Sequence, residues 1–163
     1  MIVYHGSNII VPNPDIEHST RSLDFGKGFY VTTVKEQAER WARRKAIINN
    51  TRESFICIYD MKEEWAKFKV KEYTENIEEW IDFVCRCRDG EELYKEYDII
   101  TGKVANDRVY RVVDMYKNGI WDKKRALEEI KTYDIYDQIA FISQKAIDDL
   151  LVFKESCEVS NDR

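Results

Sequence analysis

The sequence predicts an α+β fold built in one domain. The chain has 163 residues, the size of one ordinary domain, and 44% of them are hydrophobic, which is enough for a substantial core. Roughly six or seven segments have strand character and four or five have helical periodicity. Because strands and helices do not alternate strictly, the pattern favours α+β over a doubly wound parallel sheet. We expect residues 1–159 to form the domain and residues 160–163 to be a loose tail.

The first third of the chain contains two predicted strands and a helix. Residues 2–4 form a short apolar strand that ends on the polar segment 5–7. Residues 23–33 contain a tight glycine turn that feeds a strand of aromatic and β-branched residues. Residues 34–49 have apolar side chains at helical spacing, with Trp41 on the apolar side, which predicts an amphipathic helix.

The rest of the chain divides into shorter elements. The run 55–61 is densely apolar, which is typical of a central strand, and 65–73 alternates apolar and charged residues as a half-exposed strand does. The other predicted elements are a helix over 74–88 with a helical piece over 91–97, a strand over 97–104, helices over 107–118 and 122–132, a strand over 135–143, a helix over 144–151 and a strand over 151–159.

Charge narrows the classes of partner. The net charge is −5, so the surface as a whole does not attract nucleic-acid phosphates and such a role would need a local basic patch. Arg40, Arg43, Arg44 and Lys45 on the first helix form the one local cluster of this kind. Such a cluster is either a solvated helix face or a surface that meets phosphate.

The cysteines and the apolar segments indicate a cytoplasmic protein without a metal. Cys85 and Cys87 form a C-x-C pair, which differs from the C-x-x-C spacing of zinc and redox sites, and the two histidines are distant in sequence. We therefore expect free thiols in a reducing compartment and no metal site. The N-terminus lacks signal-peptide character, and no apolar run reaches the length of a membrane span.

Three short blocks carry residue types suited to ligand binding. His5-Gly6-Ser7 closes the first strand, Gly26-Lys27-Gly28-Phe29-Tyr30 opens the second, and Tyr136-Asp137-Gln138 lies in a late strand. His5 either points a ring nitrogen toward a ligand or is a core histidine bonded to a carbonyl. Tyr30 has an apolar ring and a polar tip, which suit the wall of a site.

In this order and spacing, the blocks resemble those of the ADP-ribosyltransferase superfamily, in particular its diphtheria-toxin and poly(ADP-ribose) polymerase branch. From His5 to about Phe153 the chain is more closely similar to small bacterial ADP-ribosyltransferase-like proteins, which are often encoded beside a small partner gene in a toxin–antitoxin manner. The resemblance implies a split antiparallel β-sheet core with flanking helices. It also implies NAD as co-substrate and a small antitoxin-like protein partner.

The resemblance also implies roles for individual residues. His5 would bind the adenine-side ribose, Gly6 would hold the nicotinamide carboxamide through its backbone, and Ser7 would add a hydroxyl contact. Tyr30 would line the nicotinamide slot. Trp41, eleven positions later, is either the second aromatic wall or a core residue; Ala38 stands where the polymerases have a serine. Further candidates for NAD binding are Arg21, Gly28 and Asp107.

The late block departs from the family at the position of its glutamate. The family has a glutamate there that stabilises the cationic ribose, and this chain has Gln138. The charge could come instead from Asp137, Asp134 or Asp107, although Asp137 should point to the opposite sheet face from Gln138. Asn106, Asp107 and Arg108 are secondary candidates, with simple capping of the helix over 107–118 as the alternative.

The function implied by the resemblance is therefore NAD-dependent mono-ADP-ribosyl transfer to an unknown macromolecular acceptor, with Gln138, Tyr30 and His5 as the catalytic residues. Two alternatives stay open. Gln138 could mark a non-catalytic module that binds NAD or ADP-ribose, or water could be the acceptor, which would make the protein an NAD glycohydrolase.

Overall fold

The computed structural model describes residues 1–21, 23–73, 76–103, 107–133 and 136–160. These residues form a mixed α+β fold, which confirms the predicted class. The strands are β1 (Ile2–Ser7), β2 (Phe29–Val31), β3 (Phe55–Met61), β4 (Val70–Tyr73), β5 (Ile99–Lys103), β6 (Asp137–Phe141) and β7 (Leu151–Glu158). The helices are α1 (Lys35–Ile48), α2 (Ile77–Arg88), α3 (Asp107–Lys117), α4 (Lys123–Ile130) and α5 (Gln144–Leu150).

The first sheet is antiparallel, with the strand order β1-β3-β7. Its middle strand, β3, has the bounds that the apolar run 55–61 predicts, because a central strand is covered on both faces. β1 pairs with β3 from Ile2, opposite Asp60, to Ser7, opposite Phe55. The His5-Gly6-Ser7 block is therefore part of β1 and does not merely follow it.

The second sheet has the order β2-β6-β5-β4 and is mixed. β4 and β5 run parallel, with Val70 opposite Ile99, so of the two described sheets only the first is antiparallel throughout, and the expected antiparallel core is found in part. The physical reason is that α2 lies between these strands in sequence as a crossover, which returns the chain in the same direction.

Two predicted elements are shorter in the structure. Strand β4 begins only at Val70, because the chain turns before it: Phe68 N–H bonds the Trp65 carbonyl at 2.9 Å. The helical piece predicted over 91–97 is a single 3-10 turn, Leu93–Glu96. Parts of the predicted helix over 74–88, of the strands over 97–104 and 135–143, and of the tail over 160–163 lie outside the described residues.

The elements form layers around three apolar clusters. One cluster lies between the two sheets and includes Val3, Tyr59 and Phe141. A second packs the other face of the second sheet against α2, α3 and α4, and includes Tyr30 and Trp80. The third lies between α1 and the outer face of the first sheet. Within the described part of the chain, no helix has the length and apolar character needed to cross a bilayer.

Candidate functional site

The site begins where the two sheets meet, at the edge of β1. Tyr4 and Thr32 exchange two backbone hydrogen bonds of 2.8 and 2.9 Å, and they form an isolated bridge between β1 and the end of β2. Backbone N–H and C=O groups face alternate sides along a strand. Those of Gly6, two residues beyond Tyr4, therefore face away from β3, toward the gap between β1 and β2. We call this place the β1/β2 gap.

His5 joins the two strands across the gap. Its Nδ1 lies 2.7 Å from the Tyr30 carbonyl oxygen, and its ring stacks on Phe29 at a centroid distance of 4.3 Å. Because a carbonyl only accepts, Nδ1 donates, which leaves Nε2 as an acceptor in the neutral ring. Burial, assisted by the nearby Lys45 ammonium, lowers the pKa of His5 to about 3. The ring is thus a neutral group bonded to a carbonyl and only 7% exposed.

Gly6 sits directly beneath helix α1. A Cβ at this position would overlap the Ala38 carbonyl oxygen and would lie 2.7 Å from the Ala42 nitrogen. Only glycine allows the helix to approach this closely. The close contact brings the Ala38–Ala42 turn over the gap, and Trp41 on that turn is half-buried against the cluster that contains Tyr30. Trp41 therefore has packing contacts with this cluster and lies on the helical turn that covers Gly6.

Tyr30 anchors the glycine turn. Its hydroxyl donates to the Gly26 carbonyl at 2.6 Å and accepts from Phe25 N–H at 2.9 Å. Gly26 has a φ of +82°, and a Cβ there would overlap the Tyr94 ring. Burial raises the pKa of the Tyr30 hydroxyl well above its usual value, with a smaller effect from the Asp24 carboxylate. The polar tip of Tyr30 therefore serves the turn, and its ring is what remains for a ligand.

Of the other candidate residues, two make structural hydrogen bonds and one is exposed. Gly28 donates its N–H to Ser19 Oγ at 2.9 Å, and a Cβ there would lie 2.6 Å from the Phe141 carbonyl oxygen. Ser7 is buried, and its Oγ accepts from Ile9 N–H at 3.4 Å. Arg21 is exposed on the loop before the turn.

Gln138 lies in a polar network that the sequence did not predict. Its Nε2 donates to Asp24 Oδ2 at 3.1 Å and to the Lys103 carbonyl oxygen at 2.9 Å. Asp24 in turn forms a salt bridge with Arg88, whose guanidinium also lies 4.0 Å from the centre of the Tyr110 ring. Both amide hydrogens of Gln138 are engaged, so the orientation of the amide is defined. No period or spacing links Asp24 and Arg88 to position 138, which is why the sequence missed them.

Of the other carboxylates that could supply negative charge near position 138, the structure describes the side chain of Asp137 only. Asp137 Oδ1 accepts from Thr32 Oγ1 at 3.0 Å and from Thr33 Oγ1 at 2.8 Å, so it joins β6 to the end of β2. It faces away from Gln138, as the alternation along the strand predicts. Asp134 and Asn106 lie outside the described residues, as does the side chain of Asp107. Arg108 is exposed, 5.9 Å from the Tyr133 ring centre.

The β1/β2 gap is closed in this structure. His5, Tyr30 and Gln138 are 7%, 7% and 3% exposed. Two open cavities, of about 430 and 490 Å³, lie elsewhere: one is lined by Asn76 and Leu127, and the other by Lys27 and Tyr97. A ligand at the gap would therefore have to displace a side chain, and Trp41, on the helical turn that covers Gly6, is only half-buried.

Cysteine, histidine and carboxylate side chains are dispersed. All four cysteines are free thiols, and only Cys157 is exposed. Burial raises the pKa of Cys85 to about 11 and that of Cys87 to about 12, so neither is a reactive thiolate. In the part of the chain that the structure describes, no three His, Cys, Asp or Glu side chains are grouped to hold a metal ion.

Comparison with known proteins identifies the family at the level of sequence. No curated protein and no solved structure matches the chain significantly. A family model described as "Protein of unknown function (DUF3990)" matches residues 1–153. Since this match covers nearly the whole chain, the protein belongs to the DUF3990 family.

Proposed function

We propose that this protein is a toxin-like, NAD-dependent mono-ADP-ribosyltransferase that acts in the cytoplasm. The observation that carries the proposal is that the three sequence blocks meet through direct contacts. His5 bonds the Tyr30 carbonyl, Tyr30 anchors the glycine turn, and Asp24 in that turn accepts from Gln138. Residues more than 100 positions apart thus converge on one part of the structure.

The nicotinamide end of NAD would bind at the β1/β2 gap. The Gly6 N–H and C=O face this gap and complement a carboxamide, which needs one donor and one acceptor. Trp41 and the Tyr30 ring supply flat apolar walls. In the reaction the bond between ribose C1′ and the nicotinamide nitrogen breaks, and its electron pair stays with nicotinamide, which leaves as a neutral ring. The acceptor nucleophile bonds to C1′ and loses its proton.

Gln138 would orient the ribose. Its nitrogen is bound to Asp24 and Lys103, so its carbonyl oxygen is the end of the amide left to accept from a ribose hydroxyl. The Asp24 carboxylate behind it supplies negative charge near the developing ribosyl cation, although its salt bridge with Arg88 reduces the effect. Losing one preorganised electrostatic contact costs about 10²–10³ in rate, so we expect slow turnover.

One observation favours a second candidate, a non-catalytic module that binds NAD or ADP-ribose. The amide of Gln138 is already saturated on its donor side, and the only carboxylate that contacts it among the described residues is paired with an arginine. As a binding module, the protein would retain the residues that bind NAD at the β1/β2 gap and would lack the negative charge that drives cleavage.

The deciding experiment is incubation with NAD labelled in its adenylate half, with and without cell lysate. Label transferred to macromolecules together with free nicotinamide supports the transferase. Nicotinamide released equally without lysate indicates a glycohydrolase, and binding without nicotinamide release indicates the module. His5→Ala should abolish NAD binding. The matched control is His18→Ala, which changes an exposed histidine. The transferase proposal fails if NAD is not consumed. The antitoxin-like partner is tested by whether the product of a neighbouring gene suppresses the consumption of NAD.

A further inference from the structure

Helix α1 contains a buried polar atom with nothing to bond. Gln37 is 3% exposed, and its side-chain oxygen Oε1 is buried without a hydrogen-bond partner among the described residues. In that part of the chain it is the only side-chain nitrogen or oxygen that is both fully shielded from solvent and without a partner. Buried acceptors are nearly always satisfied in folded proteins, and leaving one unpaired opposes folding. Such an atom in an otherwise satisfied interior points to a ligand that supplies the donor.

The position of Gln37 shows which ligand group can reach it. Gln37 and Trp41 are four residues apart on α1, so their side chains lie on the same flank of the helix. That flank faces the second sheet, because Trp41 packs on the cluster that contains Tyr30. The neighbouring flank, with Ala38 and Ala42, lies on Gly6. Gln37 therefore belongs to the wall of the β1/β2 gap.

The start of α1 holds Gln37 close to the Tyr4–Thr32 bridge, where the β1/β2 gap ends. The helix begins at Lys35, three residues after Thr32. Thr32 Oγ1 accepts from Val34 N–H at 3.1 Å, and the Thr32 backbone bonds Tyr4. Val34 in turn accepts from Gln37 N–H at 3.1 Å. Gln37 is thus tied to the bridge that ends the gap, within one helical turn, and its rotation about the helix axis is defined.

We propose that Gln37 Oε1 accepts a hydrogen bond from the carboxamide –NH₂ of nicotinamide and so makes Gln37 a specificity-determining residue. This inference rests on the proposed function, because it requires the nicotinamide ring at the β1/β2 gap. A primary amide nitrogen carries two hydrogens, so one can bond the Gly6 carbonyl and the other Gln37. The nicotinamide ring has no other N–H donor.

The test is a thermodynamic cycle that combines one substitution in the protein with one substitution in the ligand and compares the four binding affinities. The ligands are NAD and its 3-acetylpyridine analogue, in which a methyl group replaces –NH₂ and the carbonyl is kept. The proteins are the wild type and Gln37→Met, which has a side chain of similar size without the acceptor. Isothermal titration calorimetry gives the four dissociation constants. Glu36→Met introduces the same residue at an exposed neighbouring position and is the control.

We expect the wild type and Glu36→Met to prefer NAD over the analogue by about tenfold more than Gln37→Met does, because the variant keeps only the hydrogen bond from –NH₂ to the Gly6 carbonyl. We also expect Gln37→Met to have an unchanged or higher Tm, because it removes an unpaired buried acceptor. An equal preference for NAD in wild type and Gln37→Met would overturn the role of Gln37 and leave the proposed function intact. If the wild type bound neither dinucleotide, the proposed function would fall as well.

Discussion

Gln138 and Asp24 lie 114 positions apart and are joined by a hydrogen bond of 3.1 Å from Nε2 to Oδ2. Asp24 also forms a salt bridge with Arg88, and both of these side chains are largely buried. The contact explains why an amide occupies position 138. A carboxylate there would face the Asp24 carboxylate at hydrogen-bond distance, whereas the amide donates to it.

Gln138→Glu should therefore destabilise the protein, and more so at higher pH. The Asp24 charge would raise the pKa of the new carboxyl above its unfolded value, so the protonated form would be favoured in the folded state. Stability is then retained below the unfolded pKa and lost as the pH rises through the folded pKa. We expect a loss of about 1–3 kcal/mol at pH 8 and a smaller loss at pH 5, measured by urea unfolding.

The control is the double variant Asp24→Asn, Gln138→Glu, which exchanges the positions of charge and amide and keeps one carboxylate in the network. It should recover much of the stability at pH 8. Asp24→Asn alone should be destabilised by about 2–4 kcal/mol, because it leaves the largely buried Arg88 without this carboxylate. If the double variant were as unstable as the sum of the two single variants, Gln138 and Asp24 would not be coupled.

Gly6→Ala should prevent α1 from packing on β1. The added Cβ would overlap backbone atoms of Ala38 and approach those of Ala42, and a helix backbone cannot adjust as a side chain can. We expect a loss of about 3 kcal/mol or more in urea unfolding. Gly90→Ala is the comparison: Gly90 has a φ of +88° and no atom near its Cβ position, so only conformational strain of about 1 kcal/mol should appear. Equal losses would show that the close approach of α1 is not what requires glycine at position 6.

The pKa values of the two histidines should be shifted in opposite directions from the ordinary imidazole value. Burial lowers the pKa of His5 to about 3, whereas the carboxylate of Asp15 raises the pKa of the exposed His18. In an NMR titration from pH 5 to 8, one imidazole signal should titrate with a pKa above 6.5 and the other should not move. His18→Ala assigns the titrating signal. A second imidazole titrating near pH 6.5 would mean that His5 is exposed to water.

The same shift gives stability a defined pH dependence. Because the folded pKa of His5 is below its unfolded value, its contribution is fully present above about pH 6.5 and is lost as the pH falls toward 3. His5→Asn should reduce the fall in unfolding free energy between pH 6.5 and pH 4, measured by urea denaturation. If the unfolding free energy of His5→Asn fell with pH as steeply as that of the wild type, protonation of carboxylates would be the cause of the acid sensitivity.

Tyr30→Phe should loosen the glycine turn without removing the wall of the β1/β2 gap. The variant leaves the Phe25 N–H and the Gly26 carbonyl without their hydroxyl partner, and we expect a loss of about 1–3 kcal/mol in urea unfolding. Tyr116→Phe, which removes a more exposed hydroxyl bonded to Asp82 at 2.7 Å, should cost less. If Tyr30→Phe lost NAD binding but kept its stability, the hydroxyl would contact the ligand instead of the turn.

Local patterns account for most of the secondary structure. The bounds of β3 follow from its apolar run, and α1 follows from its helical spacing, because burial on both faces or on one stripe is a repeating property of neighbouring residues. The opposite orientations of Asp137 and Gln138 follow in the same way. Sheet pairing does not: β4 and β5 run parallel because of where α2 crosses, which no residue of either strand encodes.

The sequence by itself therefore determined the fold class, most of the elements and the three blocks that carry the resemblance. Only the tertiary structure decided that Asp24 and Arg88 surround Gln138, that Gly6 lies under α1, and that Gln37 keeps an unpaired oxygen. The physical reason is distance along the chain. Periodicity reports which face of an element a residue occupies, whereas the hydrogen-bond partner of a buried polar group comes from whichever element folds against it.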